Sequence, residues 1–240
     1  MPTITRYQNT HFSILGDSIS TFEGYSQPDY AAFYDVARKL EADVIVPLDT
    51  WWGQVIDALG GTLLVNNAFS GSSVAKHPLC EIPSYGCSEE RTSSLSKDGV
   101  CPDVILVCMG CNDFGREMAV LPAPGQEEDI SVFSVAYERI LALLQKNYPD
   151  AELWCFTLPV STWTAEPSHV FRRRRGERHI EEYCAVIRDC AKTFGARLID
   201  LYNTAPPYDT IDGLHPNRVG METLARATLA QLQGGDDGDH

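Results

Sequence analysis

The stretch Pro102-Asp103-Val104-Ile105-Leu106-Val107-Cys108-Met109-Gly110-Cys111-Asn112-Asp113 decides the fold. From Val104 to Met109 every residue is apolar, so the run has no solvent face. It opens after a proline and stops at a glycine, within the length of one strand. A strand covered on both faces belongs to a parallel sheet with helices on either side. The rest of the chain repeats the theme. Phe12-Ser13-Ile14-Leu15 is stopped by Gly16, and Thr62-Leu63-Leu64-Val65 is ended by Asn66-Asn67. Glu152–Thr157 and Ala196–Asp200 complete a set of five strands.

Helix-period stripes lie between these runs. Trp51, Val55, Ile56 and Leu59 share one face, and Phe133, Tyr137, Ile140, Leu141 and Leu144 another. Ile180, Tyr183, Cys184, Ile187, Ala191 and Phe194 make a third, with Val219, Leu224, Leu229 and Leu232 in a last helix. Alternating strands and helices imply right-handed crossovers and one α/β sandwich. Residues 1–233 are expected to form a single domain, with a Gly/Asp-rich, disordered tail at 234–240. Residues 76–101 and 158–176 break the pattern. The first reads as a surface excursion with a short helix near Glu89–Lys97.

Composition narrows the function classes. Apolar residues at 44% and charged ones at 22% exclude a disordered or fibrous chain. Thirty-three acidic residues against nineteen basic give a net charge of −14, which disfavours nucleic acid and anionic membrane surfaces as partners. No apolar run is long enough to span a bilayer. The N-terminus shows no signal peptide, so the expected compartment is the cytoplasm, export requiring a leader that was trimmed away. Eight cysteines are too few for a disulfide scaffold.

In an open parallel sheet, ligands sit beyond the carboxyl ends of the strands. The first run is followed by Gly16-Asp17-Ser18, the second by Asn67-Ala68-Phe69-Ser70-Gly71-Ser72, the third by Gly110-Cys111-Asn112-Asp113. Asp212-Gly213-Leu214-His215-Pro216 precedes the last helix. A serine, glycines, an asparagine and an Asp/His pair thus converge on one edge. That set supplies acyl transfer with a nucleophile, oxyanion donors, and a base with its orienter. A histidine is suited as base because imidazole's ordinary pKa, about 6.5, lies near working pH.

The four blocks, in this order from Phe12 to Leu232, resemble the SGNH, or GDSL, hydrolase family of esterases and lipases. The resemblance implies Ser18 as nucleophile, with Asp212 and His215 completing the catalytic triad. It implies the Ser18 and Gly71 N–H groups and the Asn112 amide as the oxyanion hole. It also implies a flavodoxin-like three-layer α/β/α sandwich, its five parallel strands ordered 2-1-3-4-5. Two positions depart from the family's pattern: Phe69 stands where many members carry a small residue, and Cys111 where Thr, Ala or Glu is commoner.

Other residues read as structural. Asp17 and Asp113 are expected to brace their loops, and Cys108-x-x-Cys111 to be packing thiols rather than a redox or metal pair. Cys184 and Cys190 fall on a core stripe, while Cys80 and Cys87 share a loop and pair only in an exported protein. His11, His77, His169 and His179 are expected at the surface or in loops. Arg172-Arg173-Arg174-Arg175 is the oddest feature. A charge run is usually a solvated face, yet this one precedes a helix at the catalytic edge. Arg172 and Arg173 are therefore candidates to meet a substrate carboxylate or a partner. Trp51 and Trp52 read as core, with Trp51, at a helix start, also a candidate platform for a sugar ring.

The sequence thus points to a serine esterase without cofactor or metal. Its expected substrate is a small acyl ester, an acetyl group on a carbohydrate being one version. An acyltransferase or thioesterase with the same machinery, and an idle binding module on the same fold, remain open, as does the oligomeric state.

Overall fold

The computed structural model describes residues 5–77 and 85–233. Five strands form the central sheet: β1 (His11–Gly16), β2 (Thr62–Ala68), β3 (Val104–Cys108), β4 (Glu152–Phe156) and β5 (Arg197–Ile199). They pair in parallel in the order β2-β1-β3-β4-β5. The helices are α1 (Val36–Ala42), α2 (Trp51–Ala58), α3 (Glu89–Ser93), α4 (Cys111–Gly115), α5 (Phe133–Asn147), α6 (Ile180–Thr193), α7 (Leu201–Thr204) and α8 (Arg218–Gln233). This is a flavodoxin-like α/β/α sandwich.

Why β3 lacks a polar face is now physical. Ile105 and Val107 enter the core shared with α5 and α6. Val104 and Leu106 enter the core shared with α2 and α8 on the opposite side. β4 alternates likewise, Leu153 and Cys155 to one layer, Trp154 and Phe156 to the other. Each fully buried aliphatic or aromatic side chain stabilises by roughly 1.5–3 kcal/mol.

Three expectations need correction. β2 does not end at Asn66-Asn67 but runs through both to Ala68, because the two buried side chains find partners. The Asn66 amide donates to the Ser20 carbonyl (2.9 Å), and its oxygen accepts from the Ala68 N–H (3.0 Å). The Asn67 oxygen accepts from Arg91 Nε (2.6 Å). Next, the excursion at 76–101 is more than surface, since Arg91, Thr92 and Leu95 within it are fully buried. Its helix covers only Glu89–Ser93, and Cys80 lies outside the described residues. Last, Val219 does not share the buried stripe of α8 and is exposed. The helix instead meets the molecule at Gly220, where any Cβ would strike the Asp209 carbonyl oxygen. The buried face continues through Met221, Leu224, Ala225, Thr228 and Leu232.

Candidate active site

All four sequence blocks emerge at the carboxyl edge of the sheet. Gly16 ends β1, and the chain turns at once into a single 3₁₀ turn, Ser18–Ser20. Asp17 caps it, its carboxylate accepting from the Ile19 N–H at 3.1 Å. Burial pushes the Asp17 carboxyl up to about 6 against the pull of that N–H. The Thr21 hydroxyl donates to the Ser18 carbonyl (2.8 Å), which fixes the turn.

Ser18 Oγ lies 2.9 Å from His215 Nε2, although 197 residues separate them. His215 Nδ1 lies 2.7 Å from Asp212 Oδ2. An ionised carboxylate only accepts, so Nδ1 carries the proton there and Nε2 is left to accept the serine O–H. The other Asp212 oxygen accepts from the backbone N–H groups of His215 (2.8 Å) and Leu214 (3.0 Å). Burial alone would raise Asp212; the His215 ring and these two N–H groups outweigh it and hold the carboxyl at about 2. The turn is anchored from several sides. Ser161 donates to the Gly213 carbonyl (2.6 Å), Tyr208 to that of Leu214 (2.8 Å) and Tyr34 to that of Pro216 (2.7 Å).

Sequence reasoning missed one neighbour entirely. The Phe33 ring stacks on the His215 imidazole, centroids 3.4 Å apart and planes 12° from parallel. No periodicity marks the segment around Phe33, so nothing in the sequence could have flagged it.

The candidate oxyanion donors come from three segments: the serine turn, the Gly71 loop and α4. Gly71 has φ +80, a left-handed conformation that favours glycine. Neither its N–H nor that of Ser18 donates to another described residue. Asn112, in α4, uses its amide to donate to the Ser72 carbonyl (2.9 Å). One amide proton thus fixes the side chain and the second is left over. The next residue, Asp113, is buried and accepts from the N–H groups of Val74 (2.7 Å) and Ala75 (2.9 Å), tying the Gly71 loop to α4. Burial overrides those N–H bonds and pushes Asp113 up to about 7.

A second missed residue joins these parts. Arg91 Nη1 donates to Ser72 Oγ (2.7 Å), and Nη2 to the carbonyls of Gly16 (3.0 Å) and Asn67 (2.5 Å). One buried guanidinium therefore clamps the ends of β1 and β2 to the Gly71–Ser72 loop. Within Ser88-Glu89-Glu90-Arg91-Thr92-Ser93 it carries no apolar signature and reads as a surface residue.

A cavity of about 570 Å³ opens beside Asn112 and the Gly213–Leu214 turn, walled in part by Phe114, Phe171, Arg172 and Arg175. Two candidates do not reach it. Arg173 turns away, donating to the Tyr202 hydroxyl (3.1 Å) and lying over its ring. Trp51 is buried, packed on Phe156 with its Nε1 donating to Ser20 Oγ (3.3 Å), and it borders only a small internal void. It is core beneath the serine turn rather than a sugar platform. His169 lies in a loop, as expected, and there lines the cavity under Gly213, while His179 caps α6 by accepting from the Glu181 N–H (3.1 Å). Cys108 and Cys111 are free thiols, both pushed up by burial.

Comparison with known proteins now bears on the assignment. The family model for GDSL-like lipase/acylhydrolase matches residues 10–160, more than half of the chain. The chain belongs to this family. The GDSL-like hydrolase is accordingly a serine hydrolase of the esterase–lipase kind. Among solved structures, it resembles a GDSL-like lipase candidate from Bacteroides ovatus, with a TM-score of 0.72, 24% identity, and coverage of 95% of this chain and 99% of that one. A similar candidate from Bacteroides uniformis gives 0.69 and 25% over 94% and 96% of the two chains. Est24, a carbohydrate acetylesterase from Sinorhizobium meliloti, shares the hydrolase's fold at 0.62 and 13% over 95% and 99%. No curated protein matches by sequence. Among the described residues no helix of the hydrolase is long and apolar enough to cross a membrane.

Proposed function

We propose that the chain is a single-domain serine esterase that removes a small acyl group, acetyl in the simplest case, from a hydroxyl of a carbohydrate or similar small alcohol. The observation that carries this reading is the Asp212–His215–Ser18 line, with hydrogen-bond distances of 2.7 and 2.9 Å. In the proposed reaction Ser18 Oγ attacks the ester carbonyl while His215 Nε2 takes its proton. Asp212 holds the imidazole tautomer and stabilises the imidazolium. The carbonyl oxygen, now negative, accepts hydrogen bonds from the Ser18 and Gly71 N–H groups and the spare Asn112 amide proton. Collapse expels the alcohol, protonated by His215. Water, deprotonated by the same nitrogen, then releases the acid and restores Ser18.

The acetyl and carbohydrate parts take their direction from Est24, named as a carbohydrate acetylesterase. The decisive experiment labels the wild type and Ser18→Ala with a serine-directed fluorophosphonate, then measures an ester panel of graded acyl length. Labelling and hydrolysis are expected in the wild type alone, fastest on the shortest acyl groups. Labelling that persists in Ser18→Ala would assign the nucleophile elsewhere.

A further inference from the structure

The run Arg172–Arg175 divides into two committed and two uncommitted side chains. Arg173 is held by Tyr202, and Arg174 Nη1 donates to the Glu177 carbonyl (2.9 Å). Arg174 and Arg175 pair with Arg178 and His179 in a two-residue hairpin that turns the chain into α6. Arg172, just before the hairpin, and Arg175, within it, both line the cavity beside Asn112. Neither guanidinium has an ion pair or side-chain hydrogen bond with any described residue. The nearby carboxylates are engaged elsewhere or out of reach: Glu166 accepts from Ser168, Glu117 lies against Gly176, and Asp212 serves His215.

Two unpaired arginines are anomalous in a chain of net charge −14. Most other described arginines have found a carboxylate, a carbonyl or a ring. The long-range field of so acidic a protein repels anions, so a local cationic wall is what an anionic substrate would require. A guanidinium presents a planar fork that matches a carboxylate or phosphate in two-point contact. Phe114, Phe171, Ile180 and Leu214 give the wall apolar patches, beside the polar Asn112, Ser168 and His169. The site therefore suits a molecule with one anionic end and a body that meets both polar and apolar wall.

Building on the esterase reading, we infer that the preferred substrate is an ester bearing a carboxylate or phosphate, which Arg172 and Arg175 bind while Ser18 attacks the ester carbon. On a carbohydrate this means a sugar acid or a sugar phosphate. The test compares wild type with the double variant Arg172→Gln/Arg175→Gln on matched esters: 4-acetoxybenzoate, 4-acetoxyphenyl phosphate, and neutral methyl 4-acetoxybenzoate. Mono(4-nitrophenyl) glutarate and its methyl ester place the charge on the acyl side instead. The anionic-to-neutral ratio of kcat/KM is expected to fall at least tenfold in the double variant for at least one pair. In the wild type that ratio should also fall as salt rises. The responding pair reports carboxylate or phosphate, acyl or alcohol side. Equal ratios in both proteins for every pair overturn the anion site while leaving the esterase reading intact. If the wild type hydrolyses no ester at all, including the neutral ones, the esterase reading itself fails. Both arginines are exposed, and matching thermal melts will show that the variant folds.

Discussion

Phe33 offers a test that the four sequence blocks do not. Its ring lies flat on the His215 imidazole, so its π face meets whatever charge that ring acquires. In the proposed mechanism His215 is neutral before attack and cationic at the transition state. Stacking that is equal in both states leaves kcat unchanged; only the extra attraction for the cation counts. An aromatic pair is worth ~0.5–1.5 kcal/mol beyond its area, and a desolvated cation over a ring up to ~2 kcal/mol. The Arg38 guanidinium, 5.4 Å from the same ring centroid, competes for that π density and keeps the gain near the lower end. Replacing Phe33 with Leu should therefore cost about 1 kcal/mol of transition-state stabilisation, roughly a fivefold loss in kcat. The backbone at 33 is held independently, its N–H donating to Thr21 Oγ1 at 2.9 Å. The substitution thus removes a ring without moving a loop. Steady-state kinetics on 4-nitrophenyl acetate measure the effect, with Phe33→Ala separating lost volume from lost π face. Wild-type kcat in Phe33→Leu, or a loss confined to KM, would refute the cation argument.

Two further expectations concern the other loops. In the proposed reaction Asn112→Ala removes an oxyanion donor, so kcat should fall roughly 10²–10³-fold, far more than KM rises; an unchanged kcat would take Asn112 out of that role. Stability should fall as pH rises from 5 to 8. Asp17 and Asp113 have folded values of about 6 and about 7, above the unfolded value near 3.8, so the folded state holds extra protons between. Their contribution is complete below about pH 4 and is lost as pH climbs through 6 and 7, with Asp113 alone worth at most roughly 4 kcal/mol. Asp212 acts oppositely, its stabilisation disappearing only as pH drops from about 4 toward 2. A urea midpoint that stays level or increases between pH 5 and 8 would contradict the burial argument, and Asp113→Asn should flatten the fall.

The parts of this molecule written most plainly in its sequence are those governed by periodicity and by strand-end residues. β3 is legible because both of its faces are covered, and the stripe through Phe133, Tyr137, Ile140 and Leu144 because its helix has one dry side. The polar strand end at Asn66-Asn67 was not, since its hydrogen-bond partners, Ser20 and Arg91, lie far away in sequence. Arg91 and Phe33 were invisible for the same reason. A buried cation and a stacked ring are defined by tertiary neighbours, which no local pattern encodes. Trp51 shows how far a local pattern reaches: an aromatic at a helix start fits both core and pocket, and packing on Phe156 decides for the core.

The 197-residue span between Ser18 and His215 has a consequence for biosynthesis. Under the proposed mechanism, a nascent chain emerging from the ribosome exposes Ser18 early but cannot activate it until His215 has emerged as well. Truncated or half-made copies would be inert toward esters, and acylation would double as a readout that the whole polypeptide has closed upon itself.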